Sequence, residues 1–323
     1  MSTATRVPET WELTGDDARK TLLATGRMRL VADAYTRLRY ADGFSHARSL
    51  AFAMALVMVQ GLIALVGFAA AFGNLEISQV IVDTIQSAMP GLAGELLTDA
   101  VHQAQEVGSG NRFLPLTLGL LGTIVTATTA LGQVERAVNR IYGVERDRPS
   151  VQKYTMAFLL ALSVGFLFAV AFVLLAFGRD FDGEGVVHSL WMVVRWPAGL
   201  ALAALALTGI LQYAPRRHQP NMSWLVFGAA VGVLCWTVVT LTFGVVFNAS
   251  SSFGDTYGPL AGIVALQLWS LFSALSILFG AAVAAQLEAV RAGLTEPAKP
   301  DPEESVVQPT AAAVSGSSAV VDA

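Results

Sequence analysis

Six long stretches of this chain carry almost no charge, and they constrain its fold more than any other feature. They cover residues 49–73, 113–132, 154–178, 186–213, 221–247 and 257–287, and Arg195 is the one Lys, Arg, Asp or Glu among them. A helix needs about 20 mostly apolar residues to cross the hydrocarbon core of a membrane. The pattern therefore predicts an all-α, polytopic membrane protein. We expect a bundle of six transmembrane helices with interfacial amphipathic helices.

The overall composition agrees with this class. Charged residues make up 14% of the chain, against about a quarter in soluble domains, and hydrophobic residues make up 54%. Residues 1–17 are acidic and lack an apolar core, so no cleavable signal peptide is visible and we expect insertion to rely on the spans. The single cysteine, Cys235, lies in an apolar run and cannot form an intramolecular disulfide.

The basic residues predict the orientation of the bundle. Of the 20 Lys and Arg, 17 fall before the first span, between spans two and three, between spans four and five, or in the C-terminal tail. Because Lys and Arg concentrate in cytoplasmic loops, both termini are predicted to be cytoplasmic.

The charged stretch QVERAVNRIYGVERDRPS at 133–150 then lies on the cytoplasmic side. We interpret it as a turn with a short amphipathic helix that ends at Gly143. A nucleic-acid site is not expected, because the stretch has one aromatic residue and little net positive charge. Contact with anionic lipid headgroups and a plain solvated turn are the two alternatives.

Outside the spans we divide the chain into a mostly disordered N-terminus (1–29), the membrane domain (30–290) and a disordered C-terminal tail (291–323). A stripe of apolar residues at 30–38 predicts an interfacial helix in which Asp33 pairs with Arg37. Residues 74–112 predict two short amphipathic helices over the outer face, broken at Pro90 and Gly91. These helices act either as a lid or receptor surface, or as a structural cap on the bundle.

No arrangement of residues predicts catalysis, a metal site or a bound cofactor. The predicted topology divides the histidines between the two faces, and no HExxH, Walker A, nucleophile-elbow or paired-cysteine motif is present. The four are His46, His102, His188 and His218.

Polar residues inside spans are costly and commonly mark a transport pathway, so they are the candidate substrate or cavity residues. Arg195 either binds an anionic group or extends to the headgroups between two tryptophans. Gln267 and Ser270 share one face of the sixth span and either line a cavity or join helices by hydrogen bonds. The Gly- and Ser-rich loop before that span adds three further candidates: Asp255, Tyr257 and Gly258.

Three stretches resemble the YihY/virulence factor BrkB family of bacterial inner-membrane proteins, once labelled ribonuclease BN. They are AVNRIYGVER, YAPRRHQPNMSWLVFGAAVG and YGPLAGIVALQLWSLFSALSILFGAAVAAQLE. The resemblance implies a multi-pass protein of the bacterial cytoplasmic membrane. Its marker positions are Asn139, Tyr142, Gly143, Pro215, Trp269 and Gly280.

The chain departs from that family pattern in two spans. The sixth span of the family usually continues after Gly-Ala with an acid and an amide, where this chain has Ala282, Val283 and Ala284. The first span has Phe52-Ala53 and Gly61 in place of an aromatic pair and a proline. The resemblance therefore carries no proton-coupled role over to this chain.

These observations leave three classes of function. Six packed spans without a catalytic arrangement favour transport or handling of a lipid or envelope component, with membrane lipids as the partners. The alternative is a non-transporting protein that organises membrane partners. An enzyme is not expected, because hydrolysis of RNA needs clustered metal ligands or a general acid and base that this sequence lacks.

Overall fold

The computed structural model describes residues 4–71, 92–108, 113–176, 186–249, 259–294 and 296–298. The described helices are α1 Gly15–Thr25, α2 Arg27–Tyr40, α3 Gly43–Ala71, α4 Leu92–Gly108, α5 Phe113–Ile141, α6 Ser150–Ala176, α7 Val186–Tyr213, α8 Met222–Ala249 and α9 Pro259–Arg291. Six of them, α3 and α5 to α9, are long and apolar enough to span a membrane. The predicted all-α class and the six spans are confirmed.

The six spanning helices pack in a ring in which each contacts the next: α3, α5, α6, α7, α8, α9 and again α3. The last helix is the most enclosed, with 67% of its apolar window buried against 11% to 22% for the other five. Small residues allow α9 to be enclosed so closely. A Cβ atom built on Gly280 would lie 2.7 Å from the carbonyl oxygen of Gly228, so α9 and α8 touch backbone to backbone.

The predicted short helix within 133–150 is not a separate element, because α5 continues without a break from the second span to Ile141. The predicted cap is present. Gly143 has φ 72°, its N–H donates to the carbonyl of Arg140, and the N–H of Val144 donates to Asn139. This pair of bonds is a Schellman motif, which requires the left-handed backbone that glycine adopts at low cost.

The N-terminus departs from the expected disorder over residues 4–29. Residues 15–25 form α1, and residues 4–13 form an extended segment that we call the strap. Ala4 and Val7 of the strap are buried, and its backbone bonds to Tyr142 and to Pro297. The low hydrophobicity of this stretch predicted disorder, but its backbone groups find partners on distant parts of the chain.

The helix predicted before the first span is present as α2. Leu30, Ala34 and Leu38 are buried, and α2 packs against α9. The predicted pair between Asp33 and Arg37 is wrong, because Asp33 lies 3.8 Å from Arg29 instead. Arg37 points into the protein, where it has other partners.

Of the two helices predicted over the outer face, one lies within the described residues. This helix, α4, packs against α3 and α9, and Leu97 and Val101 are buried together with Leu62 and Trp269. The other predicted helix, the break at Pro90 and Gly91, and the tail from residue 299 lie outside the described residues.

Candidate functional site

Charged side chains are buried at the end of the bundle where residues 4 and 298 meet. The strap, the end of α5, the loop 214–221 and the end of α9 come together there. We call one group of these side chains the terminal network and define it by its members: Thr10, Arg37, Tyr142, Arg217, Gln286 and Glu288. Buried charges are costly unless they are paired and hydrogen-bonded, so their partners decide what this site can do.

Arg217 and Glu288 form a bidentate ion pair inside the terminal network. The two Nη atoms of Arg217 donate to the two carboxylate oxygens at 2.8 and 2.7 Å, and both side chains are almost fully buried. Thr10 donates to the same carboxylate. Burial opposes the charge on Arg217, but the hydrogen bonds and charge of Glu288 outweigh it and raise the pKa of Arg217. Arg217 therefore carries its positive charge in this contact.

The guanidinium of Arg217 also stacks over an aromatic ring. Its Cζ lies 4.4 Å from the ring centroid of Tyr142, within the range of a cation–π contact. Tyr142 is fully buried at the last turn of α5. Burial, assisted by the negative charge of Glu288, raises the pKa of Tyr142 above its ordinary value. The ring thus remains a neutral platform for the cation.

Arg37 is the other buried cation of the terminal network, and all its hydrogen bonds go to neutral acceptors. Its Nε donates to Gln286 at 2.8 Å, and its Nη1 donates to the carbonyls of Thr5 at 2.8 Å and Ile141 at 3.1 Å. Within the described ranges no carboxylate lies at ion-pair distance from Arg37. Burial lowers the pKa of Arg37 to about 10, which still leaves it charged at neutral pH.

A second group surrounds the loop between α5 and α6, and we call it the loop network: Glu135, Arg136, Asn139, Asp147, Arg148, Lys153 and Arg216. Asp147 is its centre and accepts hydrogen bonds from Asn139 at 3.0 Å, Lys153 at 3.1 Å and Arg136 at 3.3 Å. Partial burial by itself would raise the pKa of Asp147, but the bonds from Asn139 and Lys153 outweigh it and lower that pKa.

The loop network fastens α5 to the loop that follows α7. Arg148 pairs with buried Glu135 at 3.3 Å and donates to the carbonyls of Ala214 and Pro215. The Asn139 side chain donates to Asp147 and accepts from the backbone N–H of Arg216. The side-chain amide of Asn139 therefore connects the loop after α5 to the loop after α7.

Four of the six marker positions come together at this end of the bundle. Asn139 belongs to the loop network and Tyr142 to the terminal network, and Gly143 and Pro215 lie in the adjoining turns. The other two marker positions are on α9. The Nε1 of Trp269 donates to Thr240 at 3.2 Å, and Gly280 forms the close contact with α8.

The predicted cavity residues are not part of either network. Arg195 is half-buried, its Cζ lies 5.9 Å from the Trp196 ring, and its Nε has no hydrogen-bond partner among the described residues. Gln267 is half-buried and Ser270 is buried on α9, with no partner for the Ser270 hydroxyl in the described part of the chain. Asp255, Tyr257 and Gly258 lie outside the described residues, so their predicted roles stay predictions.

Comparison with known proteins identifies a family. The family model named Virulence factor BrkB matches residues 34–305. The chain belongs to the Virulence factor BrkB family. The match covers the six spanning helices, the loop network and all of the terminal network except Thr10, whereas the strap lies ahead of the matched region.

Several relatives of this BrkB family protein are known by sequence. The ribonuclease-like protein YfkH of Bacillus subtilis is 23% identical over 268 residues, which cover 80% of this chain and 95% of that protein. UPF0761 membrane proteins of Xanthomonas oryzae pv. oryzae and Xanthomonas campestris pv. campestris are 24% identical over 257 residues, or 77% of this chain. This chain covers 58% of the length of those Xanthomonas proteins. No solved structure matches the chain.

The buried charges of this BrkB family protein bind one another or neutral acceptors. Arg217 pairs with Glu288, Arg148 pairs with Glu135, and Arg37 binds backbone carbonyls. In the described part of the chain no three His, Cys, Asp or Glu residues are grouped as metal ligands. The absence of enzymatic activity stays a prediction.

The sequence analysis missed most of the buried charges of this BrkB family protein. Arg37 was assigned to the surface of α2, and Gln286 and Glu288 lie at the end of an apolar run where an interfacial position is the simple interpretation. One signal was present in the sequence. Gln286 and Glu288 interrupt a long apolar stretch, and polar residues at that depth require partners.

Proposed function

We propose that this BrkB family protein transports or otherwise handles a lipid or another envelope component in a bacterial cytoplasmic membrane. The observation that carries the proposal is an asymmetry of packing along α6 and α7. One end of each helix is buried against its neighbours, whereas no described side chain at 161–171 or 193–205 is buried. Helix segments with few buried side chains can move at lower cost than fully enclosed ones, as a gate requires.

The two ends of these helices differ in detail. In α6 the buried residues are Lys153, Ala157 and Leu160, near its first turns, and in α7 they cluster from Ala206 to Leu211, near its last turns. Because the two helices run in opposite directions, all these residues lie at the end that carries the networks. In α6 and α7 the segments 161–171 and 193–205 are therefore the loosely packed ones, whereas α3, α4, α8 and α9 share a second buried cluster at the end of the bundle opposite the networks.

The loosely packed segments have the chemistry of an amphiphile site. Phe166 and Val193 are each 69% exposed and present apolar surface to lipid chains or to the interior of the ring. Arg195 lies on the same segment of α7, two residues after Val193, and has a guanidinium nitrogen without a partner in the described residues. An apolar wall with a cation near its end is complementary to acyl chains and an anionic headgroup. This chemistry supports a lipid-like substrate.

The proposed orientation places the networks and both termini in the cytoplasm, because 17 of the 20 basic residues lie on that side. A reporter fused after Arg148 should behave as cytoplasmic, and one fused near Glu95 as external. Opposite behaviour at either point would overturn the orientation. It would leave the packing asymmetry unchanged.

The test of function uses the purified full chain in vesicles. Fluorescent phosphatidylglycerol or phosphatidylcholine is placed in both leaflets, and an impermeant quencher then reports how fast the inner pool reaches the outside. We expect the protein to accelerate this exchange over protein-free vesicles. Arg195→Gln should slow the anionic lipid several-fold more than the zwitterionic one, whereas Arg195→Lys should retain the rate. No acceleration with either lipid would reject lipid transport and favour the alternative, a non-transporting organising protein.

A further inference from the structure

The strap occupies a groove made by the most buried charges of the molecule. Residues 4–13 precede the region that matches the BrkB family, yet their contacts go to its marker positions. The N–H of Val7 donates to the carbonyl of Tyr142 at 3.1 Å. A Cβ atom on Gly143 would lie 2.6 Å from the Cα of Arg6, so the strap passes directly over this glycine.

Two guanidiniums bind the backbone of the strap. Arg37 donates to the carbonyl of Thr5 at 2.8 Å, and Arg217 donates to the carbonyl of Pro8 at 2.7 Å. The strap thus presents two oxygen acceptors to two cations from opposite sides of the groove. Neutral carbonyls are weaker partners for a guanidinium than an oxyanion is.

The groove contains more hydrogen-bond donors than the strap has acceptors for. The Nη2 of Arg37 and the Nε2 of Gln286 have no hydrogen-bond partner among the described residues, although both side chains are fully buried. They are neighbours, because Arg37 Nε binds the Oε1 of the same amide. Unsatisfied donors beside a buried cation are the features of an oxyanion site.

The charge balance agrees with an anion. Glu288 is matched by Arg217 in the bidentate pair, which leaves Arg37 as the excess charge of the terminal network. Asp33 on α2 is paired with Arg29, and Glu9 of the strap is bound to His218 at 3.1 Å. The site therefore has a net charge of about +1 and suits one anionic group.

The strap is held mainly by hydrogen bonds. Ala4 and Val7 are its buried apolar side chains, whereas Trp11 and Glu12 are exposed. Among the described residues, its one ladder contact is the isolated bridge between Ala4 and Ala298. A segment with so little apolar burial can leave without unfolding the bundle.

We propose that Arg37, Arg217 and Gln286 form a binding site for a phosphate group. The strap occupies the same site and competes with the phosphate for these donors. When the strap leaves, the donors that bind the Thr5 and Pro8 carbonyls turn to the oxygens of a phosphate. Two planar guanidiniums suit a tetrahedral oxyanion with several acceptors. The phosphate is either free in solution or part of a lipid headgroup.

The experiment displaces the strap in the full chain. Val7→Lys removes the central apolar anchor and places a cation between the two arginine contacts, whereas Trp11→Lys adds the same charge at an exposed position of the strap. Cleavage after Arg6 by an arginine-specific protease, which ignores the introduced lysines, followed by mass spectrometry, reports release of the strap. We expect rapid cleavage at that bond in Val7→Lys and protection in the parent and in Trp11→Lys.

Phosphate binding is then measured by thermal unfolding in nanodiscs. Inorganic phosphate, compared with chloride at equal ionic strength, should stabilise Val7→Lys saturably by a few degrees in zwitterionic lipid and leave the parent and Trp11→Lys unaffected. Arg37→Gln in the Val7→Lys background should abolish the shift. Replacing the zwitterionic lipid by phosphatidylglycerol without free phosphate tests the headgroup as the source.

Each outcome decides the proposal. A shift in either arm that requires Arg37 supports the site, and the arm in which it occurs identifies the source of the phosphate. Equal responses of the parent and Val7→Lys, a shift that survives Arg37→Gln, or no shift in either arm despite strap release would overturn it. Because this measurement is of binding, its failure is distinguishable from a failure of lipid transport.

Discussion

The two ends of the helix bundle satisfy opposite requirements. At the network end, charged side chains are buried and nearly all are fixed by specific partners, such as Arg217 with Glu288 and Asp147 with Asn139. At the other end, α6 and α7 have no buried side chain among the described residues of 161–171 and 193–205, whereas α3, α4 and α9 keep a second buried cluster there. Polar contacts thus fix the helices at the network end, whereas these two segments are held by fewer buried contacts.

This difference is consistent with a gate that moves at one end while the other end stays closed. Helices in a membrane gain no hydrophobic free energy from packing against each other, because lipid is as apolar as their side chains. Close packing of small residues and polar bonds must therefore hold them together. Polar bonds are concentrated at the network end, whereas close contacts of small residues join α8 to α9 at Gly280 and α3 to α5 at Gly67 and Gly119.

The largest effect is expected from breaking the buried pair at the network end. Arg217→Ala leaves Glu288 buried without its partner and should lower the free energy of unfolding by about 3–5 kcal/mol. Denaturant titration of the protein in mixed micelles measures this. Arg29→Ala is the matched control, because its pair with Asp33 is exposed at the surface and worth about 0–1 kcal/mol. Similar losses of unfolding free energy in the two variants would contradict the expected difference between the buried and the exposed ion pair.

A comparison of the two halves of α6 should give the next largest difference. Leu160→Ala removes a buried side chain and is expected to cost about 2 kcal/mol or more. Phe166→Ala, two turns further along, removes a larger but exposed side chain and should change the unfolding free energy by about 0.5 kcal/mol or less. Thermal unfolding in one detergent measures both. A larger loss at Phe166 would show that the loosely packed half is covered.

Glycine replacements should give effects of opposite sign at the two regions. Gly280→Ala forces apart α8 and α9 and should destabilise by about 1–3 kcal/mol. Gly165→Ala lies in the open half of α6, where a Cβ atom meets nothing within 4 Å, and should stabilise by about 0.5–1 kcal/mol. If both replacements destabilise alike, the two regions do not differ in packing.

The smallest effect is a loss of stability in acid. The pKa of Asp147 is lower in the folded protein than in the unfolded chain, so its contribution is present above the ordinary aspartate pKa and is lost as the pH falls through the lowered value. Asp147→Asn should therefore reduce stability at neutral pH and make stability depend less on pH below about pH 4. Asp16→Asn, at an exposed position on α1, should leave the profile unchanged. Unfolding midpoints between pH 3 and 7 check both variants.

Much of the fold could be predicted because the hydropathy of each span depends only on its own residues. Five of the six spans were found close to their described ends, whereas α5 continues from the predicted end at 132 to Ile141. The cap at Gly143 followed from one glycine after an apolar stripe. The family was identified from three short stretches, and the match over residues 34–305 confirmed it. Sequence spacing predicted the wrong partner for Arg37. A residue four positions away can pair on any helix, but the burial of Arg37 brings its side chain to Gln286 instead.

By itself, the sequence determined that this chain forms six membrane-spanning helices, because each run of apolar residues favours insertion whatever the other runs do. Only the tertiary structure decided which charges are buried and what they bind. Arg37 meets Gln286 across 249 positions, and Thr10 meets Glu288 across 278. The physical reason is that a buried charge is stable only where several distant segments supply its partners together, and no local pattern in a single sequence records that convergence.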